Sequence, residues 1–216
     1  MKKDELKYNE EDERSIFEDI LDFIKVFAIT ALVFLLFVNF IAHPVSVKGR
    51  SMHPTLKDGE FGFTNIISTY AGSIQRGDIV VIKMQEEGSE KETHWVKRVI
   101  GLPGETVSCS NDEVYINGEK LDESTYIDEE YKQEMINEFG YFNQVMRDHV
   151  NEDGITVVES MDFESVTLEE DEYFLMGDNR TYSKDSRDLS VGPIHKSQIF
   201  GKGVLVLFPF NEIGIN

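Results

Sequence analysis

Ser51, His53 and Lys97 are the side chains whose types and spacing could support acyl transfer. A serine hydroxyl is a poor nucleophile until a neighbouring base takes its proton. His53 lies two residues after Ser51, and residues two apart in an extended strand share a face, but a turn before Pro54 would separate the two side chains. The sequence also has no G-x-S-x-G motif, which would present a serine to a histidine.

Lysine can replace histidine as the base when burial lowers its pKa, because desolvation disfavours the ammonium form. Lys97 lies in a strand-like run, Trp95 to Ile100, in which alternation places Trp95, Lys97 and Val99 on one face. A lysine on an apolar face is unusual. Lys97 is therefore either a buried base or a charge on an edge strand that discourages aggregation. Residue type alone leaves both interpretations open.

Four segments contain these residues and the polar residues expected to act with them. The segments are Gly49–Leu56 (GRSMHPTL), Arg76–Val81 (RGDIVV), Lys97–Glu105 (KRVIGLPGE) and Gly177–Arg187 (GDNRTYSKDSR). In order, and in position after an apolar segment, they resemble the conserved boxes of the type I signal peptidases (leader peptidases). The resemblance runs from about Asp19 to Phe208 and favours the bacterial kind with a single anchor.

The resemblance implies a serine protease with a Ser/Lys dyad. The S-M-x-P-T-L motif makes Ser51 the nucleophile and Met52 a residue that shapes the substrate cleft. The K-R-V motif makes Lys97 the general base. The reaction implied is the hydrolysis of a peptide through an acyl-enzyme, for which no metal and no organic cofactor is expected.

Supporting roles also follow from the resemblance. Ser183 would hydrogen-bond the lysine amine, and Asp185 would stabilise the region through an ion pair with Arg98 or Arg187. The Ser51 backbone N–H would be one donor of the oxyanion hole. Some family members add a serine hydroxyl two residues upstream, where this chain has Gly49, so a backbone N–H of the Gly49 segment is the expected substitute.

Family members remove signal peptides from secretory preproteins, cutting after small residues at an A-x-A-like site. An extended peptide of this kind can add as a strand beside the enzyme, with alternate side chains in shallow pockets. The flanking strands expected here are Val45 to Gly49 and Thr93 to Val96. The side chains expected to contact the substrate are Met52, Val47, Trp95 and Val96.

An apolar run, Val26 to Ala42, precedes the first segment and carries no charge. With Phe23 and Ile24 it is long enough for a transmembrane helix. A cleaved signal peptide and a buried core helix are the alternatives. Five Lys/Arg in residues 1–25, against three in residues 43–60, favour a cytoplasmic N-terminus and an extracytoplasmic catalytic domain.

After His43 the pattern becomes strand-like, with short β-rich runs divided by glycine and proline turns. Asn117-Gly118 predicts a two-residue hairpin, and Asp128 to Phe142 is open between helix and irregular loop. The fold class expected is mostly β, with one N-terminal transmembrane helix before an antiparallel β catalytic domain that carries an inserted variable β region. The predicted divisions are 1–22 cytoplasmic segment, 23–42 signal anchor, 43–108 and 171–216 catalytic core, and 109–170 variable insertion.

Charge is concentrated in the chain's second half. The formal net charge is −20, and 21 Asp/Glu stand against three Lys/Arg between Glu105 and Glu172. This argues against nucleic acid as a partner. The acidic stretch is interpreted as a solvated insertion, since the calcium motif D-x-[DN]-x-[DN]-G is absent. Cys109 is the single cysteine, and no Cys/His spacing indicates zinc.

Two other functions are alternatives to a signal peptidase that acts on preproteins at a lipid bilayer. A self-cleaving repressor-type Ser/Lys enzyme would share the dyad but carry a DNA-binding helix-turn-helix, where this chain has an apolar span. A non-enzymatic, membrane-tethered β module that binds exported proteins would need neither Ser51 nor Lys97.

Overall fold

The computed structural model describes residues 16–85, 92–150 and 156–216. The chain divides into two compact units, and the division falls between Asn39 and Phe40. The first unit contributes one helix and the second contributes the β structure. Each unit is described by itself.

Helix α1 spans Ile16–Phe40 and is long and apolar enough to cross a membrane. Its 25 residues reach about 37 Å, which exceeds the ~30 Å of a bilayer's hydrocarbon core. None of its residues is buried, which contradicts the alternative of a core helix. The helix begins several residues before the predicted apolar run and includes the charged residues Asp19, Asp22 and Lys25.

The second unit contains fourteen strands and two short α-helices among its described residues. The strands are β1 (Ala42–Ser46), β2 (Phe61–Asn65), β3 (Ile79–Gln85), β4 (Glu92–Gly101), β5 (Thr106–Ser110), β6 (Glu113–Ile116), β7 (Glu119–Lys120), β8 (Val145–Val150), β9 (Thr156–Met161), β10 (Val166–Thr167), β11 (Glu172–Met176), β12 (Ile194–His195), β13 (Ile199–Phe208) and β14 (Gly214–Ile215). The helices are α2 (Ile67–Ala71) and α3 (Glu129–Phe139), with single 3-10 turns at Lys196–Gln198 and Phe210–Glu212.

Antiparallel pairing, which the sequence predicted, organises these strands into three sheets. The main sheet has the order β1-β2-β13-β3-β4-β11-β12, with β14 added to β13. A second sheet has the order β10-β5-β6-β7, and β8 pairs only with β9. The chain is therefore mostly β with one apolar helix before the sheets, as expected.

The central strands of the main sheet are buried because their sequences are nearly all apolar. Ile79 to Ile82 of β3 are between 0 and 4% exposed. One cluster of the core packs Val45, Val47 and Met52 against β3 and β13, directly beneath the first of the four sequence segments. The segment Gly49–Leu56 is thus anchored in the apolar core.

Turn chemistry explains the second sheet. Asn117 (φ 52°) and Gly118 (φ 84°) both have positive φ, the requirement of a type I′ hairpin, and they join β6 to β7. This confirms the predicted hairpin.

Helix α3 settles the segment that the sequence left open. The Asp128 side chain caps its start by accepting a 3.0 Å hydrogen bond from the Tyr131 N–H, and Gly140 ends it in the left-handed region. The inward residues recur at helical spacing, so one stripe of α3 packs on the β unit. They are Tyr131, Met135, Ile136 and Phe139.

Candidate active site

A cavity of about 250 Å³ brings together most of the residues singled out from the sequence. It lies where the segment after β1 faces strand β4. The predicted residues that line it are Val47, Gly49, Ser51, Met52, Trp95, Val96 and Lys97. Ser183, Asp185 and Arg98 do not line it. Of these, Ser183 and Asp185 line a neighbouring cavity of about 420 Å³.

Lys97 is buried in β4 with only 4% of its surface exposed, so the alternative of a solvent-facing edge charge is wrong. Its ammonium nitrogen lies 5.5 Å from the centre of the Trp95 ring, on the shared strand face. Among the described residues it makes no hydrogen bond or ion pair. Burial lowers the pKa of Lys97 to about 8, although the nearby Asp185 charge partly opposes the shift.

The turn that carries Ser51 is held by Asp58. The Gly49 N–H donates a 2.8 Å hydrogen bond to Asp58 Oδ1, and Gly49 has a φ of +83°, which favours glycine. The Gly49 N–H, one of the backbone groups expected to serve in an oxyanion hole, is therefore already engaged in this structure. Across the described part of the chain, the Arg50 and Ser51 N–H groups donate to no protein acceptor.

Ser51 is joined to the loop formed by residues 177–187. Its carbonyl oxygen accepts a 3.0 Å hydrogen bond from the Asn179 N–H. A Cβ atom on Gly177 would lie 2.3 Å from both the Ser51 carbonyl oxygen and Ser183 Oγ. Only glycine at position 177 allows this approach between the two segments.

Two buried ion pairs fix the same loop. Arg98 makes a bidentate contact with Asp178, at 2.7 and 2.6 Å, and Thr55 Oγ1 donates to the same carboxylate at 2.5 Å. Asp185 pairs with Arg187 through bonds of 2.8 and 2.9 Å. Of the two partners expected for Asp185, Arg187 is therefore correct and Arg98 is wrong.

Asp185 remains ionised despite its burial. Burial alone would raise the pKa of Asp185, but the charge and hydrogen bonds of Arg187 outweigh this and lower it. The Gly177 N–H also donates to Asp185 Oδ2 at 2.9 Å. The carboxylate thus anchors the loop and supplies a negative charge near Lys97.

Ser183 does not make the contact expected from the sequence. Its Oγ is buried and has no hydrogen-bond partner of ordinary geometry among the described residues, although it lies close enough to Asp185 to help lower the pKa of that carboxyl. The expected bond to the Lys97 amine is absent from this structure. Burying a hydroxyl without a hydrogen-bond partner costs free energy. A group that enters the site can recover this free energy by forming a hydrogen bond with Ser183 Oγ.

His53 is separated from this chemistry. It is exposed, and its ring centre lies 5.8 Å from that of Tyr131 on α3. It does not line the cavity that contains Ser51 and Lys97.

Sequence reasoning missed several residues at the site. Asp58 holds the turn that carries Ser51, and the Asp-Gly pair at 58–59 was the available signal of a turn. His94 and Tyr182 line the cavity, but a histidine in a strand and a tyrosine in a polar loop carry no signal of their own. In residues 16–85, 92–150 and 156–216, no cluster of three or more potential ligands is arranged for a metal ion.

Aromatic side chains of β2 and of the segment at the end of β13 are exposed or half-buried. Phe61, Phe208 and Phe210 are 42, 52 and 78% exposed, and Phe63 is half-buried. Phe61, Phe208 and Phe210 are therefore not part of the buried core of the β unit. Exposed aromatic clusters of this kind mark surfaces that contact a partner or a membrane.

Comparisons with known proteins agree with the geometry. Residues 20–208 match the family model described as "Signal peptidase, peptidase S26". A signal peptidase I from Bacillus licheniformis is 39% identical over 90% of this chain and 91% of its own length. Signal peptidase I S from Bacillus subtilis (strain 168) is 39% identical over 91% of this chain and 93% of its own.

A signal peptidase IB from Staphylococcus aureus (strain MRSA252) is 35% identical over 92% of this chain and 95% of its own. A crystal structure of a signal peptidase I from Enterococcus faecalis V583 is 29% identical and covers 60% of this chain and 95% of that chain, with a TM-score of 0.37. The family model and the Bacillus relatives cover nearly the whole chain. The chain therefore belongs to the signal peptidase family, peptidase S26, whose members are serine peptidases.

Proposed function

We propose that this serine peptidase removes signal peptides from preproteins with Ser51 as nucleophile and Lys97 as general base. The observation that carries the assignment is the shared cavity of Ser51 and Lys97, in which the lysine is buried without an ion-pair partner in the described residues. A lysine in this environment is neutral in a substantial fraction of molecules near pH 8. Only the neutral amine can accept the serine proton.

The reaction follows from these two groups. Lys97 takes the proton from Ser51 Oγ as the oxygen attacks the scissile carbonyl, and the ammonium then gives a proton to the leaving amine. Water attacks the resulting ester, with Lys97 again as base, and releases the signal peptide. Ser183 Oγ supports the neutral amine once substrate closes the site, and Asp185 stabilises the ammonium that forms.

The oxyanion of the tetrahedral intermediate needs donors that are not already engaged. The Ser51 N–H meets this requirement. Because the Gly49 N–H donates to Asp58, the adjacent Arg50 N–H replaces it in the proposal. Asp58 then acts indirectly, by holding the turn that presents both amides.

The substrate is proposed to lie along β4. The edge of β4 opposite β3 has no strand partner among the described residues from Glu92 to Lys97, whereas β11 pairs with the same edge from Arg98 onward. An extended peptide can add to this open edge by backbone hydrogen bonds. Val47, Met52 and Val96 are buried around the cavity, so the pockets they leave suit small side chains such as alanine.

Membrane anchoring by α1 fits a substrate whose scissile bond follows an apolar segment. The proposed orientation has the N-terminus in the cytoplasm and the β unit outside, with the exposed aromatic residues against lipid. Protease added to right-side-out vesicles should degrade residues 45–216. Protection of these residues in sealed vesicles, with degradation after lysis, would show the opposite orientation.

The activity is tested with a preprotein that carries an Ala-x-Ala site, incubated with the detergent-solubilised full chain. N-terminal sequencing of the product should show one cut, directly after the second alanine. A matched preprotein with phenylalanine in place of that alanine should not be cut. Equal cleavage of both substrates would remove the assignment of small-residue pockets.

A further inference from the structure

Tyr182 has no part in the proton transfers above, yet its side chain lines the cavity that holds Ser51 and Lys97. It is 54% exposed and belongs to the loop 177–187, which continues directly from β11. The pairing of β4 with β11 indicates where a bound substrate would pass relative to Tyr182.

Strand β11 limits how far a peptide can follow β4. Along one edge of β4, Leu175 pairs with Val99 and Met176 pairs with Arg98, so this edge is occupied immediately after Lys97. A peptide on the open part of the edge must therefore leave the sheet near the dyad. The loop that follows β11 borders the cavity at this point, through Tyr182 and Lys184.

The position of Tyr182 is set from two directions. Its N–H donates to the Asn179 carbonyl at 3.1 Å, and the Asn179 N–H donates to Ser51 at 3.0 Å. Its ring meets Phe139 of α3 edge-on, with ring centres 5.6 Å apart and planes at 88°. One turn earlier on α3, Met135 Sδ accepts a 3.9 Å contact from Thr181 Oγ1.

Resting on the proposed function, we propose that Tyr182, held in place by Phe139, contacts the first residues of the mature protein and determines which of them are accepted. The exposed face of the ring offers apolar contact on the leaving side of the scissile bond, so preproteins with apolar or flat side chains at these positions are the favoured class. The acidic insertion then has a function at the cleft through α3, besides keeping the chain soluble.

The test compares two synthetic substrates that share one signal peptide and one Ala-x-Ala site. One substrate continues well into the mature segment with apolar side chains first, and the other ends one residue after the scissile bond. The full chain in detergent is assayed as wild type, Tyr182→Ala, Tyr182→Phe and Phe139→Leu. Tyr70→Ala is the matched control, because Tyr70 is an 84% exposed tyrosine on α2 that does not line the cavity.

The measured quantity is the ratio of kcat/KM on the long substrate to kcat/KM on the short one. Tyr182→Ala should lower this ratio about fivefold, mainly through KM, as expected for loss of one aromatic contact. Phe139→Leu should lower it by a smaller factor, whereas Tyr182→Phe and Tyr70→Ala should keep it. An unchanged ratio in folded Tyr182→Ala overturns the inference, as does an equal loss on both substrates. If wild type cuts neither substrate, the proposed function itself fails.

Discussion

The Ser51 carbonyl oxygen accepts a 3.0 Å hydrogen bond from the Asn179 backbone N–H. This bond ties the proposed nucleophile to a loop 128 residues further along the chain, between Gly177 and Arg187. The loop is held in turn by Arg98, on the strand that carries Lys97, through the bidentate pair with Asp178. Ser51 and the strand that carries Lys97 are therefore linked through the same loop.

The pH dependence of the reaction should report the base. Because Lys97 acts only when neutral and its pKa is lowered to about 8, kcat/KM should rise with pH and level off above it. The rising limb should show one ionisation with a midpoint near pH 8. A rate that is flat across this range, or that falls as pH rises through it, would contradict Lys97 as the base.

Replacing Lys97 by methionine should stabilise the fold while it abolishes activity. The pKa of Lys97 is about 8 in the folded chain against an ordinary 10.5, so the folded state binds the proton less tightly than the unfolded state. The weaker proton binding lowers the free energy of unfolding of the chain. This loss is fully present below pH 8, amounts to about 3 kcal/mol at neutral pH, and disappears as pH rises toward 10.5.

Denaturant unfolding of the detergent-solubilised chain at pH 7 measures this difference. Lys97→Met should raise the free energy of unfolding at pH 7, and the gain should shrink at higher pH. Lys83→Met, on the exposed side of the neighbouring strand, is the control and should give no comparable gain. A lower free energy of unfolding for Lys97→Met at pH 7 would contradict this prediction. It would mean that the buried ammonium has a stabilising partner that the structure does not contain.

Ser183→Ala should reduce turnover with little effect on stability. The Ser183 hydroxyl is buried without a hydrogen bond of ordinary geometry among the described residues, and Asp185 keeps its bonds to Arg187 and the Gly177 N–H when the hydroxyl is removed. If Ser183 supports the neutral Lys97 amine during the reaction, kcat should fall roughly tenfold, the effect of losing one hydrogen bond. Ser190→Ala serves as the control. Unchanged kcat in folded Ser183→Ala would remove the supporting role.

Gly177→Ala should disrupt the site through a steric conflict. The added methyl would lie 2.3 Å from the Ser51 carbonyl oxygen and from Ser183 Oγ, so one of the two segments must move. A displacement of about 1 Å at a reacting group can cost up to ~10² in rate, and kcat/KM should fall by at least about tenfold. Gly214→Ala, whose nearest contact is an ordinary 3.9 Å, should be tolerated. Wild-type kinetics in Gly177→Ala would show that the close approach is not needed.

Much of the fold follows from local sequence. The strand-like run from Trp95 to Ile100 predicted β4, and Asn117-Gly118 predicted its hairpin, because these signals act within a few residues. The pairing of β1 with β2 and the closure of β13 between β2 and β3 depend on long-range contacts, which a single sequence does not display. The predicted division into segments at residues 22, 42, 108 and 170 stays a prediction.

The candidate site, too, was predictable from the sequence only in part. Ser51 and Lys97 were predicted because four segments together resemble a known family. Their supporting contacts were less predictable, since Arg98 and Arg187 were equally plausible partners of Asp185 on charge alone. The capping of Gly49 by Asp58 and the contact of Phe139 with Tyr182 depend on side-chain geometry across the fold.

The most direct test of the account is cleavage of the Ala-x-Ala preprotein by wild type, Ser51→Ala and Lys97→Ala in parallel. Ser68→Ala and Lys83→Ala are the matched controls, since neither residue lines the cavity. The account predicts cleavage after the second alanine by wild type and both controls, and a loss of at least ~10² in rate for each dyad variant. Full activity in folded Ser51→Ala or Lys97→Ala would contradict the Ser/Lys mechanism.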